Sequence, residues 1–426
     1  MTIESRGTTP GRDGHAPSRP WGRSVLAVAA AAVLGAGIVV TAYAASRSDA
    51  GAGPPRTTDD LRLDWQARSG GVQVLGGTRD PGKPSVQRIR HDDVVFTTTI
   101  APARPGPNLV RVDVSPVSGD AHSEHATPAV WVGTSADFDA GRQVRAKPRP
   151  GASGLWAVVD LPAGSGTVLL SHGRYHRVPF AVDTGSSPAP GTFRGPDGPE
   201  CLTTVTAALL AGGAIPSTCP SDALADSDRA ALGSVVRTLA ARGVEELAVE
   251  RDGSGRSRSA YDAVSAAAAA AGVRVVEPAD PPGPRNALLV VSGWDEAAAS
   301  LTKVLRTPLR QQPIRSDGTW LAPWLLTPGV VDSTSGAVLA LDFDIRDPAA
   351  QEFSQTLSTL FPGQSPTSSG YEAWRAARGD RPSAFALYAA SRAAYLPAEP
   401  GHTGHESQVA WFPGGTVTPV ASLPLS

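Results

Sequence analysis

Helix-period and strand-period segments alternate without interruption from about Asp226 to Leu396, and few folds accept that order. Alternation of this kind predicts a mostly parallel sheet covered by helices. Asp228 to Arg242 places Leu232, Val235, Val236, Leu239 and Ala240 on one helical face, with Ser227 as its expected N-cap and Gly243 as its stop. Val244 to Val249 reads as a strand, and an alanine-rich helix from about Ser259 to Ala271 follows the loop Arg251 to Ser257. Further strands are expected at Val273–Val276 and Ala287–Ser292, a helix opens at Glu296, and apolar runs follow at Leu325–Val331 and Ala337–Phe343. Ala349 to Leu396, ending in PSAFALYAASRAAYL, reads as two or three helices, and the tail as a hairpin around Gly414-Gly415.

The rest of the chain reads as what precedes this α/β region. Residues 1–23 are polar and rich in Gly, Pro, Ser and Thr, which predicts a disordered cytoplasmic tail. Residues 24–45 carry no charge and are long enough for a transmembrane helix or an uncleaved signal anchor. Arg6, Arg12, Arg19 and Arg23 precede them, which places the N-terminus in the cytoplasm and the remainder outside, as a single-pass protein of the cell membrane. The A-x-A pattern Ala42-Tyr43-Ala44 offers the other reading, a signal peptide cleaved after Ala44. A linker follows at 46–60. Residues 61–184 contain short β-rich runs, among them 94–100, 108–114, 155–160 and 178–182, separated by Gly, Pro, Asp and Ser. That is the pattern of an all-β sandwich of seven-strand type. A second linker is expected at 185–200, and the α/β domain at 201–426.

The net charge of −2 gives no electrostatic footprint for nucleic acid. The two cysteines, Cys201 and Cys219, are expected to form a disulfide outside the membrane, contributing roughly 3 kcal/mol in a chain-entropy account.

Two resemblances are carried by the residues. PGPNLVRVDV and LWAVVDLPAGSGTVLLSHGRYHRVPFAVDT, within about 94–184, resemble the small immunoglobulin-like extracytoplasmic domains found with copper-handling membrane proteins, the CopC and YtkA-like sandwiches. The order helix, ARGV, strand, DGSGRS loop, helix, AGVRVV, then QPIRSDGTWLAP and LALDFDIRDPAAQEF, resembles the type I periplasmic solute-binding proteins over about 202–424. That resemblance implies a binding protein for small solutes. A full member has two lobes with ligand between them, and about two hundred residues here supply one lobe and parts of a second.

In such sheets ligand binds beyond the C-terminal ends of the strands. The expected ligand-binding set is Asp252, Ser254, Gly255, Ser257, Ser292, Asp317, Trp320 and Asp342, with Trp294 and Asp344 beside it. Serine hydroxyls and glycine amides at a helix start would hold a carboxylate, and aspartates an amino group. The same residues also read as an ordinary turn and helix caps. His122, His125, His172 and His176 form the candidate metal set, for copper or zinc, and His402 and His405 a second pair. Otherwise no cofactor is expected. No G-x-S-x-G elbow, H-E-x-x-H helix or phosphate loop occurs, so the chain does not read as an enzyme. The function expected is a membrane-anchored extracytoplasmic binding protein that senses or captures a small solute or docks a membrane-protein partner. A metal-handling protein is the alternative and a hydrolase a remote one.

Overall fold

The computed structural model describes residues 72–78, 80–117, 128–188, 197–392, 411 and 415–422. They belong to one compact unit that spans residues 66–426. The expected tail, the apolar run 24–45 and the linker 46–60 lie outside the described residues, as do His122, His125, His402 and His405. Among the described residues no helix is long and apolar enough to cross a membrane.

The β-rich part forms two antiparallel sheets. The larger contains β1 (Val72–Thr78), β2 (Ser85–His91), β3 (Val94–Ala101), β4 (Gly106–Pro116), β7 (Lys147–Arg149) and β8 (Ala152–Leu161). Its strand order is β1-β2-β3-β4-β8-β7. The smaller contains β5 (Val130–Thr134), β6 (Val144–Arg145), β9 (Ser165–His172) and β10 (Tyr175–Asp183), in the order β10-β9-β5-β6. A five-residue helix, α1 (Ser135–Asp139), follows β5, capped by Thr134. Alternation sorts the side chains by face. Val168 and Leu170 of β9, Val130 and Val132 of β5, and Phe96 of β3 are fully buried. Phe96 meets His172 and Tyr175 edge-on at 6.2 and 5.6 Å, joining the two sheets. The seven-strand expectation falls short of this layer, which has a six-stranded and a four-stranded sheet; β1, β2, β6 and β7 fall on none of the β-rich runs read from the sequence.

The α/β layer is built from α2 (Gly198–Leu210), α3 (Asp226–Ala241), β11 (Glu246–Glu250), α4 (Gly255–Ala271), β12 (Arg274–Val276), β13 (Asn286–Val290) and α5 (Trp294–Arg306). It continues through β14 (Thr319–Leu321), α6 (Pro328–Val331), β15 (Ala337–Leu341), α7 (Pro348–Leu360), α8 (Ser368–Arg378), β16 (Ala386–Arg392) and β17 (Gly415–Ser422). The sheet order is β12-β11-β13-β14-β15-β16-β17. The first five strands run parallel, β16 runs against them, and β17, antiparallel to β16, runs in their direction. Strand β11 is the starting strand. The chain adds β12 on one side of it and β13 on the other, so a topological switch point falls between β11 and β13. Residues Leu247–Val249 and Ala287–Val291 are buried throughout, as expected for parallel strands covered on both faces.

Two local expectations are corrected, the strand at 386–392 and the cap of α3, and the hairpin expected in the tail falls largely outside the described residues. Ala386–Arg392 is a strand, paired to β15 and β17, although its alanines favour a helix. Ladder bonds on both sides outweigh a propensity worth less than about 1 kcal/mol per residue. The tail strand Gly415–Ser422 pairs with β16; apart from Trp411, the expected partner arm before it lies outside the described residues. Helix α3 begins at Asp226 behind Ala225, so Ser227 sits inside it rather than at its cap.

Helix α2 ties the layers together. It begins at Gly198, inside the expected 185–200 linker, and nearly every residue from Gly198 to Ala208 is buried. Leu202, Val205 and the Cys201–Cys219 disulfide pack on Ala101, Leu109 and Trp156 of the larger β-sheet. A helix enclosed on all sides must satisfy its polar side chains internally. Thr203, Thr204 and Thr206 do so by donating to the carbonyls of Pro199, Glu200 and Leu202, one turn back.

Candidate functional site

The N-termini of α3, α4 and α5 all point to the edge of the parallel sheet where its strands end. Backbone N–H groups converge there, and the dipoles favour negative charge. The chain supplies that charge itself. Asp197, immediately before α2, accepts from the Trp294 N–H at 2.8 Å at the start of α5. Asp252 accepts from the Gly293 N–H at 2.6 Å and from the Ser254 N–H at 2.9 Å. Ser254 caps α4 by accepting from the Ser257 N–H, and the Ser257 hydroxyl accepts from the Asp252 N–H. Gly293 is required here: a Cβ at that position would lie 2.4 Å from an Asp197 carboxylate oxygen.

One turn further along α2, Glu200 meets Arg256 of α4 in a two-point ion pair, both contacts at 2.7 Å, with both side chains essentially excluded from solvent. Ser369 of α8 also donates to Glu200. The Arg256 guanidinium stacks 4.6 Å from the ring centre of Trp324. Beyond β15, Asp342 is held by Arg375 through two contacts of 2.9 Å. Asp228 and Glu372 face the same region. The carboxylates Asp197, Glu200, Asp228, Asp342 and Glu372 outnumber Arg256 and Arg375, so some are driven toward the protonated form. Burial raises Asp197 to about 6; the Glu200 charge adds to the rise, while Arg256 and the Trp294 N–H oppose it. Burial also raises Asp228, against the pull of Arg256. Glu372 is pushed well up by burial of its carboxyl and by the charges of Asp228 and Asp342. At Asp252, burial is outweighed by hydrogen bonds from Ser254, Gly293 and Ser257, and its pKa falls.

The β layer closes over this edge. Thr327 donates to the Gly151 carbonyl, Arg111 to the Pro362 carbonyl, and Ser153 to the Gly363 carbonyl. Gly329 lies so close to Gly151 that a Cβ there would meet backbone at 2.5 Å. The cavity left among Arg111, Trp156, Thr203, Trp294 and Gln364 is about 20 Å³. That is space for about one water, far below the roughly 300 Å³ at which small-molecule sites begin.

Asp252, Ser254, Gly255, Ser257 and Ser292 therefore gather as the sequence suggests, with Asp342 along the same edge. Asp252, Ser254 and Ser257 bond to the chain's own groups, Asp342 to Arg375, and the Ser292 carbonyl accepts from the Trp324 indole. Two expected residues lie elsewhere. Asp317 and Trp320 flank the start of β14, at the opposite edge of the sheet, where Asp317 pairs with Arg242 at 3.0 Å and Trp320 is buried. Strand β15 ends at Leu341, just before Asp342, and Asp344 turns to Arg346. Glu200 and Arg256 were not expected. Their signal is a lone glutamate at the head of an otherwise uncharged helix, GPECLTTVTAALL. His172 and His176 line a groove on the β layer. Among the described residues no three His, Cys, Asp or Glu side chains converge as a metal site would need.

No family model and no curated protein matches the chain. Solved structures do. One is an extracellular ligand-binding receptor from Rhodopseudomonas palustris HaA2, with 14% identity and a TM-score of 0.26, covering 36% of this chain and 48% of its own. Another is a solute-binding protein of an ABC transporter from Rhodopseudomonas palustris BisB5 in complex with 3,4-dihydroxybenzoic acid, with 13% identity and a TM-score of 0.31, covering 46% and 64%. A third is a branched-chain amino acid ABC transporter periplasmic ligand-binding protein from Burkholderia xenovorans LB400, with 11% identity and a TM-score of 0.31, covering 47% and 64%. The chain spans about half the length of the first solved structures it matches.

Proposed function

We propose that this chain is a non-catalytic extracytoplasmic binding protein that engages a partner through its outer surface rather than by closing on a small solute. The observation that carries this reading is Asp197. An anion-binding helix start at the switch point is already filled by the chain's own carboxylate, with α2 seated behind it. The raised carboxyls Asp197, Asp228 and Glu372 belong to the same internal network as the Glu200–Arg256 and Asp342–Arg375 pairs. The apolar run 24–45 supports a membrane tether that would hold the binding surface outside the cell.

The reading is tested by thermal unfolding of the full-length protein with leucine and with 3,4-dihydroxybenzoate, each at millimolar concentration. The expected outcome is an unchanged midpoint. A ligand at a hundredfold excess over Kd would add about 2.7 kcal/mol, and a rise of that size with either compound would overturn the reading.

A further inference from the structure

The loop from α5 to β14, residues 307–318, stands at the edge of the parallel sheet where the strands begin, opposite the switch point. It carries Leu309 at 86% exposure and Ile314 at 80%, the two most exposed large apolar side chains among the described residues. A single exposed leucine is ordinary on a protein surface. Here two such side chains share one short loop, and the loop is pinned at both ends. The Gln312 side chain donates to the Val304 and Thr307 carbonyls at 3.0 and 2.7 Å, tying the loop to the end of α5. Asn286 donates to the Ile314 carbonyl and Arg315 to the Pro278 carbonyl, each at 3.1 Å. Pro308 and Pro313, each directly before one of the apolar residues, fix the backbone further. Leu309 and Ile314 are therefore held out in water by a built loop.

The charge around them has one sign. Residues 303–315 include Lys303, Arg306, Arg310 and Arg315 and no carboxylate. Lys303, Arg306 and Arg310 are exposed, and among the described residues none of the three pairs with a carboxylate, whereas Arg242 and Arg274 at the same edge engage Asp317 and Glu246. Lys303 and Arg306 suit the negative end of α5, but Arg310 lies beyond it.

We propose that this loop docks on an anionic lipid bilayer, with Leu309 and Ile314 entering the acyl boundary and Lys303, Arg306 and Arg310 meeting headgroup phosphates. Apolar prongs ringed by unmatched cations are the pattern of an interfacial anchor. A protein partner would call for a contiguous apolar patch with aromatic anchors. No aromatic residue occurs in 303–318, and fluid acyl chains receive separate aliphatic side chains without a matched pocket. The proposal rests on the membrane tether of the reading above, because two side chains and three charges hold a protein only weakly by themselves. Residues 46–71, between the apolar run and β1, could span up to about 90 Å if extended. A folded unit of this size is about 50 Å across, so the tether lets this edge reach the bilayer.

Fluorescence of the full-length protein in vesicles tests it. Both native cysteines are in the disulfide, so Gln311→Cys gives one site for a nitrobenzoxadiazole label beside Leu309. The vesicles are equimolar phosphatidylcholine and phosphatidylglycerol, or phosphatidylcholine alone, each with a trace of lipid carrying a nitroxide on its acyl chain. In the mixed vesicles the label should shift to the blue and be quenched by the nitroxide. Leu309→Asp with Ile314→Asp in the same chain should abolish both effects and leave the unfolding midpoint unchanged. Arg306→Gln and Arg310→Gln should each lower the ratio of docked to free label about fivefold. Flotation of the vesicles reads the tether separately. Protein that floats while its label stays in water keeps the tether and overturns the docking, leaving an acidic protein as the occupant of the loop. Equal quenching in phosphatidylcholine alone, or quenching that survives the double substitution, also overturns it. Protein that does not float overturns the tether and the docking together.

Discussion

Replacing Asp197 with asparagine should make the protein less sensitive to alkali. The carboxyl titrates at about 6 in the folded chain against an ordinary 3.8, because burial and the neighbouring Glu200 charge disfavour its ionised form. A carboxyl whose folded pKa is raised binds its proton more tightly in the folded state. Its contribution is therefore fully present below the unfolded value and is lost as pH rises toward and through the folded one. At 1.36 kcal/mol per pKa unit, wild-type protein should lose about 2–3 kcal/mol from this group between pH 4 and pH 8. Asparagine keeps an oxygen to accept from the Trp294 N–H and has no ionisation to suppress. Urea unfolding at both pH values provides the assay. The two proteins should nearly coincide at pH 4, with the variant the more stable by about 2–3 kcal/mol at pH 8, close to 1 M in midpoint at a slope of about 3 kcal/mol/M. Other raised groups, Asp228 and Glu372 among them, act alike in both proteins and cancel in the difference. A gap of equal size at both pH values, or one that closes as pH rises, would refute the account.

Other outcomes follow from the same contacts. Arg256→Leu leaves Glu200 buried without its counter-charge and should cost about 3–5 kcal/mol in urea unfolding. Glu200→Gln, which keeps the shape but removes the charge paired to Arg256, should also lower stability, by less than Arg256→Leu because the Asp197 and Asp228 carboxyls still face Arg256. Gly329→Ala drives a Cβ into the Gly151 backbone and should destabilise by about 1–3 kcal/mol, seen as a lower thermal midpoint. Reduction of Cys201–Cys219, which are 18 residues apart, should lower stability by roughly 3 kcal/mol, measured by unfolding with and without dithiothreitol.

The parallel core was legible because its signals are local. The helical face of Leu232, Val235, Val236 and Leu239 is the face that is buried, and the runs at 244–249 and 287–292 fall on β11 and β13. The disulfide followed from the expected compartment and the closeness of the cysteines. What stayed hidden depends on distant pairing. The alanine-rich 386–392 carries helical propensity, and only its neighbours β15 and β17 make it a strand. Glu200 follows TFRGPDGP, whose glycines and prolines read as a linker until Arg256 and Ser369 give the glutamate its partners. Asp317 was grouped with Asp252 as a loop residue, yet it precedes its strand rather than following it, which places it at the other edge. Asp252, Ser254, Ser257 and Ser292 lie together because each sits just past the end of β11 or β13. That Asp197 fills the space they frame depends on how α2 docks, which no local pattern encodes.

The position of α2 also sets an order of events for a chain made N-terminus first. Once residues 198–210 emerge, the β layer can cover one side of the helix through Leu202 and Val205. Glu200 must then wait 56 residues for Arg256 and 169 for Ser369. Over that interval a helix destined to be enclosed on every side presents its remaining faces, and a charged carboxylate, to whatever surrounds the nascent chain. Long-range closure of this kind folds slowly and exposes apolar surface on the way. The seam that completes the folded molecule is therefore its most vulnerable stretch during biogenesis, and truncation before α8 should leave a half-built protein for proteases and chaperones to find.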